Sequence, residues 1–120
     1  MAESEHYAIK RLYEGCHLIF KDMKHESISV GDFYGDAEFA FIDKNERFVV
    51  TGGCGLVIYR LKEPFDFYRD ENYKTDQYIV LGFEGDPHTY MYYDSVEQIG
   101  DNKIKITDAN GDITEYEFEL

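Results

Sequence analysis

Apolar positions recur at every second residue in several short runs, and the runs are broken by glycine or by acidic and amide turn formers. That period is the mark of a half-buried strand. Gly15, Gly31, Gly35, the cluster Gly52-Gly53-Cys54-Gly55, Gly82, Gly85, Gly100 and Gly111 divide segments rich in Val, Ile, Tyr and Phe, residue types that suit a pleated surface. Phe39 and Phe41, then Phe48 and Val50, alternate with other residues on either side of Asp43-Lys44-Asn45-Glu46. This predicts a hairpin within Ala37 to Val50. Leu56 to Leu61 is a nearly continuous apolar run, as expected of a central strand covered on both faces or of a short core segment, and Tyr78 to Leu81 reads the same way. Near the C-terminus Ile104 and Ile106 alternate with Lys103 and Lys105, and Asp108 to Asp112 turns the chain into Ile113 to Leu120. The period there puts Tyr116, Phe118 and Leu120 on one face and Glu115, Glu117 and Glu119 on the other.

Two segments are less regular. Between Ser4 and Glu14 the apolar residues fit either a helix or a strand that turns at Glu14-Gly15 into His17 to Phe20, and the strand is the preferred reading. Glu63 to Gln77 mixes turn formers, acids and aromatics without a period, which predicts a long connection with a short helical turn. The fold expected over residues 1–120 is therefore mainly β with little helix: one domain of antiparallel sheet, as a sandwich or a partly open barrel.

Composition supports a folded chain and gives it a marked charge. Hydrophobic residues make up 43% and aromatics 17%, too much apolar material for disorder even though 25 Asp and Glu face 12 Lys and Arg, a net charge of -13. A surface that acidic opposes direct contact with nucleic acid or an anionic membrane and favours a cationic partner. The first residues, Met1 to His6, carry acid where a secretory signal carries base, and no stretch has the length of a membrane span. The expected location is the cytoplasm. Cys16 and Cys54 stand far apart without a CxxC motif and are expected to be buried thiols.

No catalytic signature emerges. His6, His17, His25 and His88 form no metal-binding pair, and there is no Gly-x-Ser-x-Gly elbow. The glycine cluster lacks the Gly-Lys-Ser/Thr ending of a phosphate loop and is expected to be a tight turn or bulge with Cys54 packed inside. Asp108, Asn110 and Asp112 follow the start of a calcium loop, yet Ile113 stands where that loop needs glycine, so a hairpin turn is expected. Asp32, Asp36 and Glu38 are close in sequence, as chance allows among 25 acids. No enzyme activity, cofactor or metal is expected.

Eleven Tyr and no Trp is a skewed usage, and Tyr34, Tyr68, Tyr73 and Tyr93 each neighbour acids. Tyrosine gives a stiff contact area with a polar end, and carboxylates around it steer a basic partner. Asp66, Tyr68, Asp70, Glu71 and Tyr73 in the long connection are accordingly the candidate partner-binding residues. The row Glu115, Glu117, Glu119 is a second candidate, although an exposed charged strand also guards against edge-to-edge aggregation.

Ile28-Ser29-Val30-Gly31-Asp32-Phe33-Tyr34-Gly35-Asp36-Ala37-Glu38, the run Phe48 to Tyr59 through Thr51-Gly52-Gly53-Cys54-Gly55, and Glu63-Pro64-Phe65 resemble small acidic bacterial immunity proteins of polymorphic or contact-dependent growth-inhibition toxin systems. The resemblance implies a cytoplasmic inhibitor that binds one cognate toxin domain, often a nuclease, and covers its active site or a neighbouring surface. The alternatives are a small-ligand or enzymatic β-barrel with the glycine cluster and Asp32/Asp36 at its mouth, or a structural adaptor.

Overall fold

The computed structural model describes residues 1–120 and contains eleven strands. They are β1 Ala2–Glu3, β2 Tyr7–Leu12, β3 Gly15–Phe20, β4 Ile28–Asp32, β5 Phe39–Ile42, β6 Phe48–Gly53, β7 Gly55–Arg60, β8 Tyr78–Leu81, β9 Tyr93–Gly100, β10 Lys103–Asp108 and β11 Ile113–Glu117. The one helical element is a three-residue 3-10 turn, Pro87–Thr89. All pairings are antiparallel, and they build three sheets in the orders β1-β2-β3-β4, β5-β6-β7-β8 and β11-β10-β9.

The sheets lie in layers, and the middle one explains the continuous apolar runs. On one face of the β5–β8 sheet, Val49, Val57 and Tyr59 join Ile9, Leu18, Phe20 and Val30 of the first sheet in a core. On its other face, Phe48, Val50, Leu56 and Ile58 join Ile104 and Ile106 of the third sheet and Phe118, the residue after β11. Successive side chains of β6 and β7 thus enter alternate cores, and every residue from Phe48 to Gly53 and from Gly55 to Tyr59 is buried. Each large apolar side chain so buried contributes about 1.5–3 kcal/mol relative to exposure. The outer strands show the complementary pattern: β3 and β10 bury every second residue.

The architecture is thus mainly β and sandwich-like, with no closed barrel. The hairpin expected at Ala37 to Val50 pairs Phe41 with Val50 and Phe39 with Gly52. The C-terminal hairpin pairs Ile104 with Tyr116, and Gly111 takes the left-handed turn at φ 86. The ambiguous N-terminal segment is a strand, β2, paired with β3. Two expectations need correction. Tyr78 to Leu81 is not central: β8 is an edge strand in which only Tyr78 is buried. Glu63 to Gln77 holds no helix: its hydrogen-bonded turn is a single i to i+3 bond, from Tyr73 N to the Asp70 carbonyl at 3.4 Å, and the Gln77 side chain bonds Asp66 N and the Arg60 carbonyl.

The glycine cluster is packed shut. A Cβ on Gly52 would run into the Phe39 ring, one on Gly53 would lie 2.9 Å from the Asp36 carbonyl, and one on Gly55, at φ 99, would strike the Phe83 ring. These glycines let aromatic rings and backbone approach the middle sheet. No barrel mouth forms there. Cys54 is buried and its backbone bridges to Tyr92, while Cys16, also free, has its thiol pushed up to about 11 by burial.

Polar groups fasten the layers at their ends. Asp43, 1% exposed, accepts hydrogen bonds from Arg47 Nε at 2.8 Å and Gln98 Nε2 at 2.7 Å, tying the β5–β6 turn to β9. Those bonds outweigh the desolvation that opposes the charge and hold its carboxyl below the usual range. No helix is long and apolar enough to cross a membrane.

Candidate functional site

The connection from Glu63 to Gln77 is irregular in backbone yet anchored at several points. Gln77 is the central clamp: its side-chain oxygen accepts from Asp66 N at 3.1 Å, and its amide nitrogen donates to the carbonyls of Arg60 at 2.6 Å and Lys62 at 3.1 Å. Tyr59, rooted in β7, donates its hydroxyl to the Asp66 carbonyl at 2.7 Å. Tyr78 donates to the Asp70 carbonyl at 3.1 Å and accepts from Arg69 N at 3.3 Å. Tyr68 N bonds the Ser29 carbonyl at 2.8 Å, joining the connection to β4. A loop anchored this way presents its outer side chains with little ordering left to do on binding.

The five sequence-derived residues divide between surface and interior. Asp66, Asp70, Glu71 and Tyr73 are exposed or half-buried, with Tyr73 40% exposed. Tyr68 is 4% exposed and packs its ring against Tyr78 with centroids 4.8 Å apart, so it belongs to the core beneath the surface rather than to its outer face. Two unforeseen residues complete the outer face. The Arg69 guanidinium lies over the rings of Phe67 and Tyr73, 4.7 and 4.5 Å from their centroids, and donates to Asp66 Oδ1 at 3.0 Å. Phe67 is 49% exposed. The cue in the sequence is an arginine two residues after one aromatic and four before another within an acidic tract, a spacing without a standard period.

Beside this face runs a cleft of about 240 Å³. Glu14 from the β2–β3 turn, Asp32 and Tyr34 from the end of β4, and Asp70 and Glu71 from the connection stand around it. A hydrogen bond of 3.0 Å from Phe33 N to the Glu14 carbonyl joins two of its walls. Asp36 and Glu38, close to Asp32 in sequence, do not line it. Glu71 accepts from the Tyr90 hydroxyl at 2.9 Å, and partial desolvation together with that bond pushes the Tyr90 phenol up to about 12. The Tyr90 ring meets Tyr34 edge to face at 5.5 Å. Tyr68 also lines the cleft, and its hydroxyl is buried with no hydrogen-bond partner. Burial, then the charges of Glu71, Asp32 and Asp70, raises its ionisation well above the ordinary phenol value, so it stays protonated.

The second candidate surface differs in its electrostatics. Glu115 and Glu117 pair in register with Lys105 and Lys103 on β10, Lys103 Nζ lies 3.7 Å from Glu115, and Lys105 Nζ lies 3.0 Å from Glu97. Interleaved lysines moderate the acidic stripe, as suits the guarded edge of a sheet.

Three other groups have local explanations. Asp108 accepts from the amides of Asn110 at 2.9 Å and Asp112 at 3.1 Å, so its carboxylate organises the hairpin turn. Glu5, His6 and Glu46 bring three ligand atoms within 4.8 Å of one another, but Glu46 is already engaged by the His6 amide at 2.9 Å and His6 Nδ1 at 2.7 Å. The largest depression, about 480 Å³, lies between Tyr7, Phe20, His25, Leu61 and Phe65, and stacked or edge-on rings of Phe20, His25 and Phe65 form its wall.

Comparison of the chain with protein-family models, curated proteins and solved structures finds no match in any of the three.

Proposed function

We propose that this protein is an immunity-type inhibitor that binds a cognate bacterial toxin domain and occludes its active site or a neighbouring surface. It acts in the cytoplasm, through protein contact alone and without chemistry of its own. The observation that carries the reading is the juxtaposition of Asp66, Asp70 and Glu71 with the half-exposed rings of Phe67 and Tyr73 on an anchored connection. The carboxylates attract a basic surface and take the place of the phosphates that a nuclease binds, while the rings supply the desolvated contact. The chain's net charge of -13 extends the attraction beyond the contact and repels nucleic acid.

The test is protection of cells that express a candidate toxin domain, followed by affinity measurement on the purified complex. The triple variant Asp66→Asn, Asp70→Asn, Glu71→Gln is expected to weaken binding by roughly 10- to 100-fold at low salt and to flatten its salt dependence. The control variant Glu115→Gln, Glu117→Gln, Glu119→Gln removes as many charges and is expected to retain most of the affinity. Equal loss in both variants, or none in the first, rejects this surface, and absence of protection against every toxin domain encoded beside this protein's gene rejects the inhibitor reading.

A further inference from the structure

We propose that the cleft bounded by Glu14, Asp32, Tyr34, Asp70 and Glu71 is a receptor for a single arginine side chain of the protein partner, with the Tyr68 hydroxyl as the buried acceptor at its floor. The inference deepens the inhibitor reading by assigning the place where the partner's positive charge enters, and it can be tested without the partner.

Two independent observations converge on a cationic hydrogen-bond donor. The first is charge: four carboxylates stand around the cleft. Glu14 and Asp32 are exposed and enter none of the molecule's ion pairs. Arg69, the cation among the lining residues, is turned to Asp66 and held over Phe67 and Tyr73. The second is the orphaned Tyr68 hydroxyl, on a side chain 4% exposed. A buried polar group without a partner is costly, and a ligand that completes it recovers that cost. Its oxygen has free lone pairs to accept an N–H.

Size and shape select guanidinium. At about 240 Å³ the cleft lies below the roughly 300 Å³ at which ordinary small-molecule sites begin. A divalent metal needs ligand oxygens gathered closely, and the group whose ligand atoms meet within 4.8 Å is Glu5, His6 and Glu46, away from this cleft. A guanidinium spreads five donors over a plane, so it serves separated carboxylates and the hydroxyl together, and its face suits the exposed ring of Tyr34. A lysine ammonium offers a compact charge with no such plane.

The experiment is amide-resolved NMR titration of the intact protein at low ionic strength with N-acetyl-arginine amide, using the lysine and citrulline amides and Ca²⁺ as comparisons. The expected result is saturable shifts at Glu14, Asp32, Tyr68 and Glu71 with the arginine amide, weaker ones with lysine amide and none with citrulline amide. Asp32→Asn is expected to weaken the arginine amide about tenfold, and Tyr68→Phe, which keeps the ring and removes only the hydroxyl, by roughly three- to tenfold. Shifts that survive both substitutions, spread evenly over the acidic surface, or appear equally with lysine amide overturn the proposal. So does Ca²⁺ occupying the cleft more tightly than the amide. Loss of amide binding with toxin protection intact rejects the cleft alone, whereas amide binding without protection rejects the inhibitor reading alone.

Discussion

The His6 ring sits 2.7 Å from Glu46 and pins the β1–β2 link to the β5–β6 turn, so the strength of this contact follows pH. The hydrogen bond and charge of Glu46 raise the His6 value above 6.5. At Glu46, desolvation opposes ionisation, but the bonds from His6 and Ser4 outweigh it and bring the carboxyl down to about 2. The histidine contribution is complete below 6.5 and is lost as pH rises through the raised folded value; the carboxylate contribution is complete above 4.5 and is lost as pH falls towards 2. The pin is therefore strongest between those ordinary values. An NMR titration is expected to place His6 above 6.5 and to return it close to that value in Glu46→Gln; an unchanged midpoint would show that the contact does not form in solution. Tyr68 carries the opposite kind of lesson. Since its hydroxyl is buried without a partner, Tyr68→Phe is expected to stabilise the free protein by about 1 kcal/mol in urea denaturation. A loss of stability would mean that the hydroxyl has a partner after all. A group that costs stability when free and contributes only when bound is a mark of a binding site.

Among the elements, the long connection departs furthest from its strand-forming neighbours, and its order depends on Gln77. Gln77→Leu keeps the bulk but leaves Asp66 N and the carbonyls of Arg60 and Lys62 without their partner. The expected cost is about 2 kcal/mol. Hydrogen exchange should quicken at Asp66 and Tyr68 well before it does at Val57 in the middle sheet, and uniform quickening would mean that the connection is not a separate unit of local stability. The outer strands were legible because a solvated face forces alternation: β3 and β10 bury every second residue, whereas the β5–β6 hairpin was legible from the polar turn Asp43 to Glu46 between its apolar runs. β8 was misread because Tyr78 to Leu81 is apolar through contacts with layers above and below, and such contacts do not reveal whether a hydrogen-bonded neighbour lies on each side. In Glu63 to Gln77 composition singles out a segment rich in acids and aromatics, but an aperiodic chain gives no rule for which aromatic turns inward. Tyr68 went in and Phe67 stayed out because Tyr68 N is held by the Ser29 carbonyl, a contact distant in sequence.

At the scale of the whole molecule, a charge of -13 on 120 residues works against the compact state through self-repulsion. Moderate salt is therefore expected to raise the melting temperature while it weakens binding to the proposed basic partner, and a melting temperature that falls with added NaCl would show that ion pairs such as Arg47–Asp43 outweigh the repulsion. The stacking of the sheets sets a further division. β6 and β7 contribute to both cores, so a change of volume in either strand is felt by packing on one side or the other. The two outer sheets and the connection each keep a face in water, and the connection hangs from the middle layers by Tyr59, Gln77 and Tyr78. Such a molecule keeps its packing and its outer surface on different residues, so the side chains facing water can be exchanged one by one while both cores stay as they are.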